Sequence, residues 1–157
     1  MKLFTSGMFV LAGVVSLPVG VSRRQTALHR APEYRSDHRF LTLRDFFRKS
    51  ACPAEKYSAA FLEAADHYEL DWRLLPSISF VESTGGKSAR GNNLFGWDSG
   101  RAHFPSATAG IHAVGYRLAH SGLYRDKELD GLLATYNPKA EYAQKVKSVM
   151  RRISPSE

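Results

Sequence analysis

The sequence predicts a mainly α domain with one irregular insertion. Apolar residues recur at helical spacing in several short stretches, and cap or stop residues stand at their ends. A single run rich in Gly, Asn, Ser and Asp, from Lys87 to Phe104, breaks the pattern and reads as an irregular loop or short hairpin. Five or six short helices between about residues 41 and 155 follow from that arrangement, with no repeats and no low-complexity run.

The elements follow in order. Leu43, Phe46 and Phe47 predict a short first helix. Pro53 suits the first turn of a second, whose face carries Tyr57, Phe61, Ala64 and Tyr68. Asp71 can cap a third, in which Leu74, Leu75, Ile78 and Val81 form one stripe and Gly85-Gly86 a turn signal. Pro76, about a turn in, predicts an irregular start or a kink. Ser106 caps a fourth helix with Ile111, Val114 and Leu118 inward and Gly122 as its stop. Gly110 and Gly115 inside it each cost about 1 kcal/mol relative to Ala, which predicts close packing against another backbone. A fifth, from about Asp126, sets Leu129, Leu132, Leu133 and Tyr136 on one face and ends before Asn137-Pro138. The last turns Tyr142, Val146, Val149 and Ile153 inward.

Ahead of this body, Met1-Lys2 followed by the uncharged stretch Leu3 to Val21 reads as an export signal over residues 1–22. The stretch is near the lower limit for a membrane span, so an N-terminal membrane anchor is the alternative. Pro18, Gly13 and Ser16 weaken the anchor. Either way the folded part is expected outside the cytoplasm, in the periplasm, cell envelope or extracellular space. Residues 23–40 are charged and poor in apolar side chains, and read as a basic flexible linker.

Lys and Arg number 22 against 15 Asp and Glu, a net charge of +7. Such a surface favours polyanions, an anionic cell wall among them. The basic tail lacks interleaved aromatics and any nucleic-acid motif, so no nucleic-acid partner is expected. Cys52 is alone, which excludes an intramolecular disulfide and a thiol cluster. The six histidines show no two-ligand motif, so no metal and no organic cofactor are expected, and the chain is expected to be a monomer.

Glu82 is the residue that points to chemistry. At about 100° per residue it projects between the directions of Ile78 and Leu75, on the apolar stripe of its helix. Charge is costly to take out of water there. A carboxyl group so placed suits a general acid near neutral pH. The competing reading is a structural ion pair to Arg73 or Arg90.

Three segments then carry a family resemblance. Glu82-Ser83-Thr84-Gly85-Gly86-Lys87-Ser88, Asn92-Asn93-Leu94-Phe95-Gly96-Trp97, and Thr135-Tyr136-Asn137-Pro138 with Tyr142-Ala143-Gln144-Lys145-Val146 stand in family order. Together they look like the bacterial glucosaminidase domain, akin to mannosyl-glycoprotein endo-beta-N-acetylglucosaminidase. That family belongs to the lysozyme-like superfamily, with lytic transglycosylases and goose-type lysozyme. The likeness runs from about Tyr57 to Ile153 and implies a compact lysozyme-like domain whose loop lines a glycan cleft.

The resemblance makes Glu82 the catalytic acid and Tyr136 a tyrosine close to it. It sets Ser83, Asn92, Asn93, Phe95 and Gly96 along the cleft. Trp97 departs from the family's usual small aliphatic residue and could stack on a sugar. Read from the residues alone, Leu94 and Phe95 anchor the loop in the core, Asn92 and Asn93 form turns, and Tyr136 is a core tyrosine. No second carboxylate is fixed by motif; Asp98 and Glu141 are the nearest and read as surface residues. N-acetylated sugars can supply their own nucleophile, so one positioned acid suffices. The expectation is an exported glycosidase cleaving peptidoglycan beside N-acetylglucosamine. The alternatives are a lytic transglycosylase and a non-catalytic glycan-binding module.

Overall fold

Residues 33–155 are described by a computed structural model, and they are mainly α, with no strand among the described residues. The expected export signal or anchor lies outside them. Among the described residues no helix is long and apolar enough to cross a membrane.

Six α-helices follow one another: α1 His38–Lys49, α2 Ser58–His67, α3 Leu74–Ser83, α4 Ala107–His120, α5 Leu129–Tyr136 and α6 Tyr142–Ile153. Short 3-10 turns at Tyr34–Ser36 and Pro53–Tyr57 precede α1 and α2. α3 packs chiefly on α6 and α2 on α4. The core runs through Phe47, Phe61, Leu75, Ile78, Ile111, Leu133 and Val146, all fully buried.

α3 is the central helix, because every residue from Leu74 to Ser79 is buried. The apolar stripe expected there is therefore only part of its buried surface. Pro76 introduces no break. It is the third residue of the helix, where the missing N–H has no intrahelical acceptor to serve. Asp71 does not cap α3 directly; its carboxylate accepts from the Arg73 N–H, one residue before the helix. The chain reverses at Thr84, left-handed at φ 51°, ahead of the two glycines.

Three boundaries differ from expectation. The fold begins inside the expected linker: Tyr34 is buried and donates its hydroxyl to Asp66 at 3.0 Å, and Asp37 caps α1 by accepting from the Arg39 N–H at 2.8 Å. One aromatic and paired charges anchor the segment, which composition alone does not reveal. α4 ends at His120 with an extended Ser121, so Gly122 serves as no left-handed cap. α5 starts at Leu129 rather than near Asp126, because Ser121–Lys127 is taken up by successive turns.

Both helix glycines mark close approaches, but the expected backbone contact is met at Gly110 alone; Gly115 packs against side chains. A Cβ at Gly110 would stand 2.9 Å from the Phe104 ring and 3.1 Å from the Asn92 carbonyl, and one at Gly115 would stand 2.8 Å from the Tyr68 ring. α4 thereby holds both α2 and the irregular segment between α3 and α4. That segment has one isolated bridge, Arg90 to Asn93, and otherwise turns.

Candidate active site

The last turn of α3 brings Glu82 to a half-buried position against the loop that follows. Gly96 lies over it with φ 59°, and a Cβ there would be 2.8 Å from Glu82 Oε2. Only a residue without a side chain lets the loop backbone come so near the carboxylate.

Three clefts meet around this contact. The largest, about 690 Å3, is lined by Gly96, Trp97, Asp98, Arg117, Tyr124 and Tyr136 among others. A second, about 340 Å3, runs between Glu82, Ser88, Arg90, Gly96 and Ser99. A third, about 160 Å3, lies between Glu82, Asn137, Lys139 and Tyr142. Gly96 and Ser99 border the first two and Glu82 the last two, so the clefts adjoin, the carboxylate lining the two smaller ones and Gly96 joining it to the largest. Small-molecule sites commonly span about 300–1,000 Å3.

Two tyrosines stand behind Glu82. Tyr136, at the end of α5, donates its hydroxyl to the Phe95 carbonyl at 2.7 Å. Burial, and then the Glu82 charge, push its pKa well above the ordinary tyrosine value. Tyr142, the first residue of α6, stacks in parallel on Tyr136 with ring centroids 5.9 Å apart. Its hydroxyl is buried and makes no hydrogen bond of strict geometry, but Glu82 lies within looser hydrogen-bonding reach of it. Burial, followed by the Glu82 charge, raises its pKa strongly. Both phenols therefore keep their protons at any ordinary pH and face Glu82 as neutral dipoles.

No ion pair to Glu82 exists among the described residues. Arg73 pairs with Asp71 at 2.6 Å, and Arg90 shares the second cleft with Glu82 without pairing to it. The structural ion-pair reading of Glu82 is not realised. The two candidate second carboxylates are both exposed and engaged, Asp98 with Arg101 at 2.9 Å and Glu141 with Lys145 at 3.6 Å.

The loop residues divide sharply. Phe95 is fully buried against Phe61 and reaches no cleft, so it anchors the loop rather than touching substrate. Ser83 and Asn93 line the second cleft but are buried, and their polar atoms serve the backbone. The Ser83 hydroxyl donates to the Leu94 carbonyl at 2.7 Å and accepts from the Gly86 N–H at 3.0 Å. Asn93 Oδ1 accepts from the Trp97 N–H at 2.9 Å, and its Nδ2 donates to the Trp97 carbonyl at 2.9 Å. Asn92 is exposed, left-handed at φ 60°, and donates to the Phe104 carbonyl at 2.9 Å. Of the expected substrate contacts, Gly96 and Trp97 face the largest cleft.

Trp97 is the hub of that cleft. Tyr136 meets it edge-on at 5.6 Å, Tyr124 lies at 6.4 Å, and the Arg117 guanidinium stands 5.9 Å over its ring. Sequence reasoning did not find Tyr124 or Arg117 as site residues. The first lies in a turn region and the second on a helix 35 positions beyond Glu82, and neither sits in a motif. Tyr142 was legible as an inward residue of α6 and as part of the third resembling segment, but not as a site residue.

No protein-family model matches the chain, and no curated protein matches it.

Proposed function

We propose that the protein is an exported glycosidase that cleaves β-1,4 bonds next to N-acetylglucosamine in peptidoglycan, a glucosaminidase of the lysozyme-like kind. The observation that carries the reading is the placement of Glu82: half-buried, unpaired to any guanidinium among the described residues, and lining two clefts, one of which adjoins the largest at Gly96 and Ser99. The net charge of +7 favours association with an anionic wall.

In this reading Glu82 donates its proton to the glycosidic oxygen as the bond from C1 to that oxygen breaks. The 2-acetamido oxygen of the same sugar attacks C1 and forms a cyclic oxazolinium ion, so no enzyme nucleophile is needed. Water then adds to C1, the acetamide reopens, and the Glu82 carboxylate takes the proton that the water gives up. Tyr136 already donates to Phe95, so its oxygen is left to accept the acetamido N–H. The Tyr142 hydroxyl, buried within loose hydrogen-bonding reach of Glu82, donates to the carboxylate once its proton has gone. The engagement of Asp98 and Glu141 in ion pairs supports the substrate-assisted route over a second enzyme carboxylate.

The test is Glu82→Gln assayed on purified peptidoglycan, with products read by mass spectrometry. Loss of a general acid is expected to lower the rate by roughly 10²–10⁴-fold. A reducing N-acetylglucosamine end supports the glucosaminidase; a 1,6-anhydromuramic end would instead make the protein a lytic transglycosylase. Clearing as fast as the parent removes Glu82 from the chemistry. Binding without cleavage by the parent makes the protein a glycan-binding module.

A further inference from the structure

The largest cleft carries a cation that the chemistry above does not use. Arg117 is exposed on α4 and lines that cleft with Trp97, Tyr124 and Asp98. Its guanidinium stands 5.9 Å over the Trp97 ring, and no carboxylate pairs with it among the described residues. Asp98, the carboxylate in the same cleft, is held by Arg101 at 2.9 Å. The cleft thus presents a positive charge that, among the described residues, stands against the Trp97 face and beside Tyr124 with no carboxylate to neutralise it. Such a contact orients the fork while leaving its N–H groups open to a ligand.

The cleft also joins the reacting position, since Gly96 borders it and touches Glu82. A saccharide bound across Glu82 would extend over Trp97 and bring its neighbouring residue beneath Arg117. We infer that Arg117 selects an acidic glycan, taking the carboxylate on the 3-O-lactyl branch of the sugar next to the one cleaved. That carboxylate is the lactyl group itself in bare strands, or belongs to the attached stem peptide in native ones. An arginine fork matches a carboxylate in bidentate fashion, which an ammonium does not. The inference rests on the glycosidase reading and adds to it what distinguishes peptidoglycan from neutral polymers of N-acetylglucosamine.

The experiment uses the full chain carrying Glu82→Gln, so that ligands survive, and measures binding by calorimetry. Three probes are compared: peptide-bearing glycan fragments, peptide-stripped fragments with free lactyl carboxylates, and neutral chito-oligosaccharides of equal length. Adding Arg117→Gln is expected to lower the ratio of acidic to neutral affinity by roughly ten- to a hundredfold, the range for a hydrogen bond to a charged group. Arg117→Lys is expected to restore part of that ratio. Which acidic probe loses more identifies the carboxylate. The control Arg125→Gln, an exposed residue paired to Asp126, leaves the ratio as in the parent. An unchanged ratio in Arg117→Gln overturns the inference while leaving the glycosidase reading intact. Failure of the parent to bind any of the three probes overturns both.

Discussion

Gly96 ties the sequence to the chemistry more tightly than any other loop residue. Its φ of 59° is one that L side chains reach at a cost of roughly 1–2 kcal/mol. A methyl group there would also sit 2.8 Å from Glu82 Oε2, closer than real contacts allow. Gly96→Ala is therefore expected to lower stability by about 1–2 kcal/mol and to displace the carboxylate, with activity falling further than stability explains. Gly122→Ala is the matched control, since nothing lies within 4 Å of its Cβ position and its φ is not left-handed. That variant should melt at or slightly above the parent temperature. Equal activity in Gly96→Ala and the parent would remove the contact from the site. At this scale the sequence was informative about Glu82, because a carboxylate on an apolar stripe needs a reason. It was silent on Arg117 and Tyr124, since an exposed arginine and a tyrosine in a turn carry no pattern that separates a cleft wall from ordinary surface.

At the scale of elements, the Ser106 cap was legible, while the caps expected at Asp71 and Gly122 fall elsewhere and loop architecture was not legible. Ser106 accepts from the Ala109 N–H at 3.0 Å, as its place before α4 implied. Ser106→Ala is expected to cost about 1 kcal/mol, read as a fall in Tm of a few degrees. Within the irregular segment, Asn93 stands in for absent secondary structure. Its amide side chain bonds the Phe95 and Trp97 N–H groups and the Trp97 carbonyl, closing a turn that places Gly96 over Glu82. No periodicity encodes such a turn, and an asparagine in a loop reads as a turn former whether or not it is buried. Asn93→Ala leaves those backbone groups unpaired in a buried place and should cost on the order of 1–3 kcal/mol. Chemical denaturation measures that loss. If the loss is well below about 1 kcal/mol, the side chain is not what shapes the loop.

For the molecule as a whole, the helical body followed from periodicity because each apolar face had a partner to meet. Its N-terminal edge did not, because it is fastened by charges. Arg39 bonds Asp37 at 2.8 Å and Asp66 at 2.7 Å, and Asp66 also accepts the Tyr34 hydroxyl. The Arg39 hydrogen bonds hold both carboxyl groups below their ordinary pKa. Both therefore bind protons less readily in the folded protein than in the unfolded chain. Their contribution is present above the usual carboxylate pKa of about 4 and is lost as the pH falls through the lowered folded values. Tyr34 acts in the opposite direction. Burial, then its bond to Asp66, raises its pKa to about 12, so its contribution is complete below pH 10 or so and fades between there and the folded value. The N-terminal clasp is thus strongest in a broad window spanning neutrality, and it is partly exposed, which limits its size. Arg39→Met removes the shared cation. The expected result is a lower Tm at pH 7 and a shallower dependence of Tm on pH between about 4 and 2, because the two carboxyl groups lose the bonds that lower their folded pKa values. Parallel acid limbs in parent and variant would show that the clasp does not couple protons to folding.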